Sequence, residues 1–66
     1  MKLDSLSTQE VKVMRYLLKG MDITLISMQM KISNKTVSTY KARLMDKLGC
    51  TTLIELYDLA NRNKLG

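Results

Sequence analysis

The sequence predicts an all-α domain built from four short helices. Proline is absent and only three glycines occur, so little interrupts the helical spacing of the apolar residues. Two of these glycines, Gly20 and Gly49, follow amphipathic stretches, and we expect each to end a helix in the left-handed conformation. No segment alternates between apolar and polar residues as a surface strand would. The 66 residues are therefore expected to form one helical domain, residues 1–66, with a small core.

The first two helices are each marked by a capping residue. Ser7 and Glu10 have the spacing of a capping box. An apolar stripe with helical spacing follows them, formed by Val11, Met14, Leu17 and Leu18. Asp22 is the N-cap candidate of a second helix, which we expect at about residues 23–30. Residues 31–33 then make a tight turn, in which Ile32 is expected to pack into the core.

A longer third helix is predicted at residues 34–48, because Ser33 is a good N-cap and Gly49 a good terminator. Its core-facing side is expected to carry Val37, with Tyr40, Leu44 and Leu48 projecting within about 60° of Val37 at 100° per residue. A fourth helix is expected at about residues 53–63. It opens with a second predicted capping box, from Thr52 to Glu55.

The positive charge is concentrated on the third helix. The chain carries a net charge of +5, and residues 31–47 hold five basic residues and one acidic residue. A basic helix of this kind is the electrostatic footprint of a nucleic-acid-binding protein. A solvated surface helix would show the same charge, so charge alone leaves both interpretations open.

The outward side of this helix carries small and hydroxyl residues beside the basic ones. Lys35, Ser38, Thr39 and Ala42 project opposite Val37, and Arg43 lies at one flank. Small and hydroxyl side chains surrounded by cations can enter a major groove about 12 Å wide. A short helix, a tight turn and a longer basic helix, together residues 23–48, predict a helix-turn-helix. The predicted DNA-binding residues are Lys35, Thr36, Ser38, Thr39, Lys41, Ala42 and Arg43, whereas Lys47 is expected to be a solvated charge.

Residues 32–41, ISNKTVSTYK, together with KLG at 47–49, resemble the LuxR/FixJ type of bacterial DNA-binding domain. Leu6 to Glu10, Gly20 and Ile26 extend the resemblance over nearly the whole chain. It is strongest to output domains of two-component response regulators of the virulence-control and acid-resistance kind. The resemblance implies a sequence-specific regulator of transcription whose recognition helix lies in the major groove. In full-length proteins of this kind an N-terminal receiver domain is phosphorylated on aspartate. No receiver is recognised in these residues, so we expect this chain to be a C-terminal fragment or a stand-alone copy.

The resemblance also implies that two domains pair through the last helix on inverted half-sites. Leu53, Leu56, Tyr57 and Ala60 share one face of that helix and should cover the domain's own core. The residues left for a two-fold contact are Ile54, Asp58, Asn61 and Leu65. The expected partners are double-stranded DNA, a second copy on DNA, a receiver domain and RNA polymerase.

Several residues depart from the family pattern. Ser27 stands where a small alanine is common, so its hydroxyl must find a partner. Lys41 and Ala42 stand where valine and lysine are common, which changes the cations offered to DNA. The second helix carries an apolar surplus, namely Ile23, Leu25 and Met28, which partial burial or a protein contact would explain. An alternative function is therefore a protein-interaction module that docks through this helix.

Other functions find less support in the sequence. Histidine is absent and no glycine-rich phosphate loop occurs, so we expect neither an enzyme nor a metal or other cofactor. Cys50 is expected to be a buried apolar side chain in a reducing compartment. The three tyrosines fall on apolar faces, which disfavours RNA stacking. We expect no signal peptide, no membrane partner and a cytoplasmic, nucleoid-associated protein of bacteria.

Overall fold

The computed structural model describes residues 5–63, which contain four helices. These are α1 Thr8–Leu18, α2 Ile23–Met30, α3 Asn34–Leu48 and α4 Leu53–Arg62. The predicted all-α fold is confirmed, and the predicted helix bounds agree with the structure to within about one residue. Helix α3 packs against both α1 and α2. None of the helices in the described part of the chain is long and apolar enough to cross a membrane.

Helix α1 begins with the predicted capping box. The Ser7 side chain accepts a hydrogen bond from the Glu10 backbone N–H, and Glu10 Oε1 accepts one from the Ser7 N–H at 2.8 Å. After the helix, Gly20 has φ +87°, the left-handed conformation that glycine adopts without strain. The inward face is centred on Val13, Met14 and Leu17. The sequence stripe missed Val13, which is fully buried.

The turn between α2 and α3 is fixed by backbone conformation and caps. Lys31 closes α2 in the left-handed region, with φ 57° and ψ 43°, which is uncommon for a residue with a side chain. The N–H of Ile32 then donates to the Ser27 carbonyl at 3.1 Å. Ser33 caps α3, because its side chain accepts from the N–H of Thr36. Ile32 packs against the core, as expected.

Helix α4 begins with only half of the predicted capping box. The Thr52 side chain accepts from the Glu55 N–H, as expected. The Glu55 carboxylate, however, accepts two hydrogen bonds from Thr51, one from its hydroxyl and one from its backbone N–H at 2.8 Å. It does not accept the bond from the N–H of Thr52 that a capping box requires. These two bonds hold the pKa of Glu55 below its ordinary value. At the other side of the helix, the Tyr57 hydroxyl donates to the Leu17 carbonyl at 3.1 Å and so links α4 to the end of α1.

All four helices contribute to one core. Tyr40 and Leu48 lie at its partly buried edge as predicted, but Met45 is buried although the sequence analysis left it out. Cys50 is buried and reduced, and burial raises the pKa of its thiol. The buried apolar residues are Val13, Met14, Leu17, Ile26, Val37, Leu44, Met45, Cys50, Leu56 and Ala60.

One ion pair joins the beginning of α1 to the end of α3. Lys47 Nζ lies 2.7 Å from Glu10 Oε1 and donates a second hydrogen bond to the Ser5 carbonyl at 3.0 Å. Glu10 is only 2% exposed, so the carboxylate depends on these partners. The expectation that Lys47 is a solvated charge was wrong. The residue is 37 positions from Glu10 in the chain, and helical periodicity does not report such contacts.

We predict that Glu10→Gln lowers the free energy of unfolding by about 2 kcal/mol at pH 7, the scale of a hydrogen bond to a charged group. Glutamine can still complete the capping box, so the change isolates the charge. The pKa of Glu10 is lowered below 4.5, chiefly by the hydrogen bond from Lys47. The advantage of wild type over the variant should thus be complete above pH about 5 and disappear as the pH falls through the folded-state pKa.

Urea denaturation of both proteins between pH 3 and pH 7 measures this difference. Arg62→Ala is the control, because its ion pair with Asp58 is solvent-exposed and should contribute less than about 0.5 kcal/mol. A wild-type advantage that is independent of pH would contradict the assignment to the ion pair.

Candidate nucleic-acid interface

The outward side of α3 presents a small-residue surface to solvent. Lys35, Ser38, Thr39 and Ala42 are all exposed and follow the i, i+3, i+4, i+7 spacing of one helical face. We call these four residues the outer arc. They lie opposite Val37 and Leu44, which are fully buried, so packing of the core fixes which side of α3 faces outward. Arg43 is exposed at one flank, as predicted.

The hydroxyl groups of the outer arc differ in their partners. The Thr39 hydroxyl donates to the Lys35 carbonyl of the preceding turn at 3.1 Å. Within residues 5–63, by contrast, the Ser38 hydroxyl makes no hydrogen bond. Asp46 is exposed one turn beyond Ala42 on the same face. Its negative charge would repel phosphate, so the surface suited to nucleic acid ends before it.

Two of the predicted DNA-binding residues lie off the outer arc. Thr36 is half-buried, and its hydroxyl is paired with that of the capping Ser33 at 2.8 Å. Lys41 is also half-buried and lines two grooves beside the start of α2, both of which include Ile23. A half-buried lysine of this kind can lay its apolar stem along the core edge and keep its ammonium in water. The structure therefore groups Lys35, Ser38, Thr39, Ala42 and Arg43, with Lys41 at the opposite flank.

Helix α4 exposes a mixed strip on its outer face. Ile54 is 78% exposed, and Asp58 and Asn61 are exposed on the following turns. Asp58 accepts a hydrogen bond from Arg62. Leu65, the fourth residue predicted for the pairing contact, lies outside the described residues. The core-facing residues Leu56 and Ala60 are buried as expected, whereas Tyr57 is 40% exposed.

The apolar surplus of α2 is divided by the structure. Ile23 is partly buried against the core, so its apolar side chain is explained by contacts within the domain. Leu25 and Met28 remain 47% and 67% exposed. The Ser27 side chain is buried, and its hydroxyl donates to the Thr24 carbonyl at 2.7 Å, so the partner that burial required is present.

The sequence analysis overlooked a second basic surface. Lys12, Arg15 and Lys19 are exposed along α1 and its C-cap at i, i+3 and i+7, on the side opposite Val13 and Leu17. Its i, i+3, i+7 spacing is present in the sequence, but the charge density is lower than on the third helix. Since α1 packs on α3, this stripe faces away from the outer arc. Within residues 5–63 no cluster of three potential metal ligands occurs.

Residues 4–60 match the model of the GerE family, described as bacterial regulatory proteins of the luxR family. The chain belongs to this family. The assignment confirms the resemblance drawn from residues 32–41 and 47–49, and a family of regulatory proteins agrees with the expectation that the chain is not an enzyme.

Curated luxR-family relatives match nearly the whole chain but only part of their own length. The DNA-binding transcriptional activator EvgA of Escherichia coli K12 is 63% identical over 65 residues, 98% of this chain and 32% of EvgA. The transcription regulator BvgA of Bordetella pertussis, named for virulence factors, is 53% identical over 60 residues, 91% of this chain and 29% of BvgA. The chain thus spans about a third of the length of these relatives.

A solved structure supports the same assignment. Full-length FixJ from B. japonicum superposes with a TM-score of 0.90 at 35% identity, covering 98% of this chain and 32% of FixJ. The luxR-family fold therefore extends over all four helices.

We predict that Ser33→Ala destabilises the domain by about 1 kcal/mol, because α3 loses its N-cap acceptor and Thr36 loses its hydroxyl partner. Chemical denaturation measures the change. Ser38→Ala is the matched control, since its hydroxyl caps nothing and alanine favours the helix. Equal stability of the two variants would show that Ser33 does not cap α3 in solution.

Proposed function

We propose that the chain is the DNA-binding output domain of a response regulator that controls transcription. In this proposal α3 is the recognition helix, and its outer arc enters the major groove. The observation that carries the proposal is the exposed outer arc, in which short side chains are flanked by cations on a helix held by a luxR-family fold. A narrow helical face of this kind can approach base edges closely. The function would place the protein in the cytoplasm, on the nucleoid.

The relatives support this proposal in their printed names. EvgA is named as a DNA-binding transcriptional activator, and the sequences are 63% identical over the matched residues. The match covers about a third of EvgA. This proportion is what an output domain in a longer protein with a receiver would show.

Phosphate contacts from Lys35, Lys41 and Arg43 supply most of the affinity in this proposal. Lys35 lies at the N-terminal end of the outer arc, and the other two residues lie on its two flanks. Cations so placed can contact the two strands that border a groove, while the arc between them faces the bases. Lys47 is excluded from the set, because its ammonium is paired with Glu10.

We predict that Arg43→Ala weakens binding to all duplex sequences about equally and reduces the slope of log affinity against log salt by about one unit. Lys12→Ala is the matched control. It removes the same charge from an exposed helical position on the side away from α3, so the slope should change much less. Fluorescence anisotropy at several salt concentrations measures both slopes. A loss confined to particular sequences would mean that Arg43 contacts bases.

Pairing of two domains on DNA through α4 is the second part of the proposal. Ile54, Asp58 and Asn61 form a small exposed strip with apolar and polar members, and Leu65 would extend it. A two-fold contact uses the same strip on both copies. The strip is too small for a stable free dimer, so pairing requires the high effective concentration of adjacent half-sites.

We predict that Ile54→Lys leaves the fold and half-site binding nearly unchanged but abolishes cooperative occupation of an inverted repeat. Ile54 is 78% exposed, so the lysine replaces no core contact and would meet its own symmetry mate in the pair. Quantitative footprinting on single and inverted sites separates the two effects. Met28→Lys, an exposed apolar residue on α2, is the control and should retain cooperativity. Persistent cooperativity in Ile54→Lys would exclude α4 as the interface.

A protein-interaction module is the second candidate function. The observation in its favour is the exposure of Leu25 and Met28, two large apolar side chains three residues apart on α2. Retardation of mixed-sequence duplex DNA at low salt discriminates between the candidates. If the protein does not retard any duplex in a gel under these conditions, the result would favour a protein-docking function.

A further inference from the structure

The chemistry of the outer arc bears on which bases it would read, an inference that rests on the proposed function. Base reading by hydrogen bonds needs free donors or acceptors on the helical face, such as the ends of Arg, Asn or Gln side chains. Between Lys35 and Asp46 the outer arc offers only Ser38, Thr39 and Ala42. The arc is therefore poor in the groups that usually discriminate bases.

The Thr39 hydroxyl is already engaged by the helix. It donates to the Lys35 carbonyl at 3.1 Å, so its proton is directed at the backbone of the preceding turn. Thr39 is exposed, and the methyl group on the same Cβ stands at a tetrahedral angle to this hydroxyl, so the methyl is the end of the side chain that the helix does not engage. Ala42, three residues on, adds a second exposed methyl group about 5–6 Å away along the same face.

We infer that this domain recognises DNA sequence through thymine methyl groups, with Thr39 and Ala42 as the apolar contacts. The thymine C5-methyl is the only methyl group that the four bases present in the major groove, and it identifies T·A pairs by position. Thr39 is then a specificity-determining residue that acts through its methyl group, while its hydroxyl bond to the helix keeps that group turned toward the DNA. Ser38 retains the free hydroxyl of the arc and supplies the remaining polar contact.

The experiment begins with duplexes selected from a random library by the wild-type chain. Each thymine of an enriched duplex is then replaced singly by deoxyuridine, which removes the methyl group and leaves base pairing unchanged. We expect affinity to fall about fourfold at one or two positions, the value for burial of one methyl-sized group (~0.8 kcal/mol). Deoxyuridine outside the footprint is the control and should have no effect.

Two variants at Thr39 assign the effect to the side chain. Thr39→Val keeps methyl groups and removes the hydroxyl, so it should retain both affinity and the sensitivity to deoxyuridine. Thr39→Ser keeps the hydroxyl and removes the methyl, so one sensitive position should become insensitive. The reverse pattern, with serine behaving as wild type and valine losing the preference, would overturn the inference in favour of a hydroxyl contact.

The outcomes separate this inference from the proposed function. Enriched duplexes that contain no deoxyuridine-sensitive position overturn methyl recognition and leave DNA binding intact. Failure of the wild-type chain to enrich any duplex overturns the proposed function and the inference with it.

Discussion

The ion pair between Glu10 and Lys47 is the directional contact that holds α3, the helix that carries the outer arc, to the beginning of α1. It joins the first turn of α1 to the last turn of α3, and Lys47 also binds the Ser5 carbonyl ahead of α1. Core packing fixes which side of α3 faces outward, and interdigitated side chains resist sliding along the helix axis. Loss of the cation would leave the buried carboxylate of Glu10 uncompensated, which is strongly unfavourable. The pair therefore adds a directional contact that opposes displacement of the end of α3 from the beginning of α1.

The connection between α2 and α3 and the position of α4 are also fixed by a few residues. The left-handed Lys31 turns the chain sharply between α2 and α3, and Ser33 starts α3 immediately afterwards. At the far side, the Tyr57 hydroxyl binds the Leu17 carbonyl and fixes α4 against the end of α1. A domain of this size buries a smaller share of its surface than a larger domain does, so its core contributes a marginal stability. Directional polar contacts at the helix ends add to it by fixing where each helix begins and how the chain turns.

Most of the fold follows from local chemistry, and the sequence could therefore predict it. Capping residues and terminating glycines act within one helical turn, so Ser7, Ser33, Thr52 and Gly49 located the helix ends correctly. Contacts between distant residues leave no local pattern. The predicted capping box of Glu10 was correct, but it did not indicate that the Glu10 side chain is buried. Lys47 was predicted to be solvated because its partner lies on another helix.

The candidate site likewise has features that the sequence predicted and features that it could not predict. Helical periodicity placed Lys35, Ser38, Thr39 and Ala42 on one exposed face, because periodicity is what determines exposure on a helix that packs by one side. It could not show that Lys41 lies in a groove beside Ile23, since the groove belongs to two helices. It also could not show the hydroxyl bond of Thr39, because rotamer choice is not encoded in spacing.

In the proposed mode of DNA binding, the contacts that give affinity and those that give specificity are separated spatially on α3. The cations occupy the end and flanks of the outer arc, where they can contact phosphates whatever the base sequence. The centre of the arc carries little charge and short side chains, so the helix axis can approach the base edges more closely than a lysine-covered face would allow. Close approach is the condition under which methyl–methyl contacts contribute, because dispersion falls steeply with distance. The presence of Ala42 where lysine is common in the family is thus coherent with apolar base recognition, and the exposed Asp46 limits that recognition to the part of α3 that precedes it.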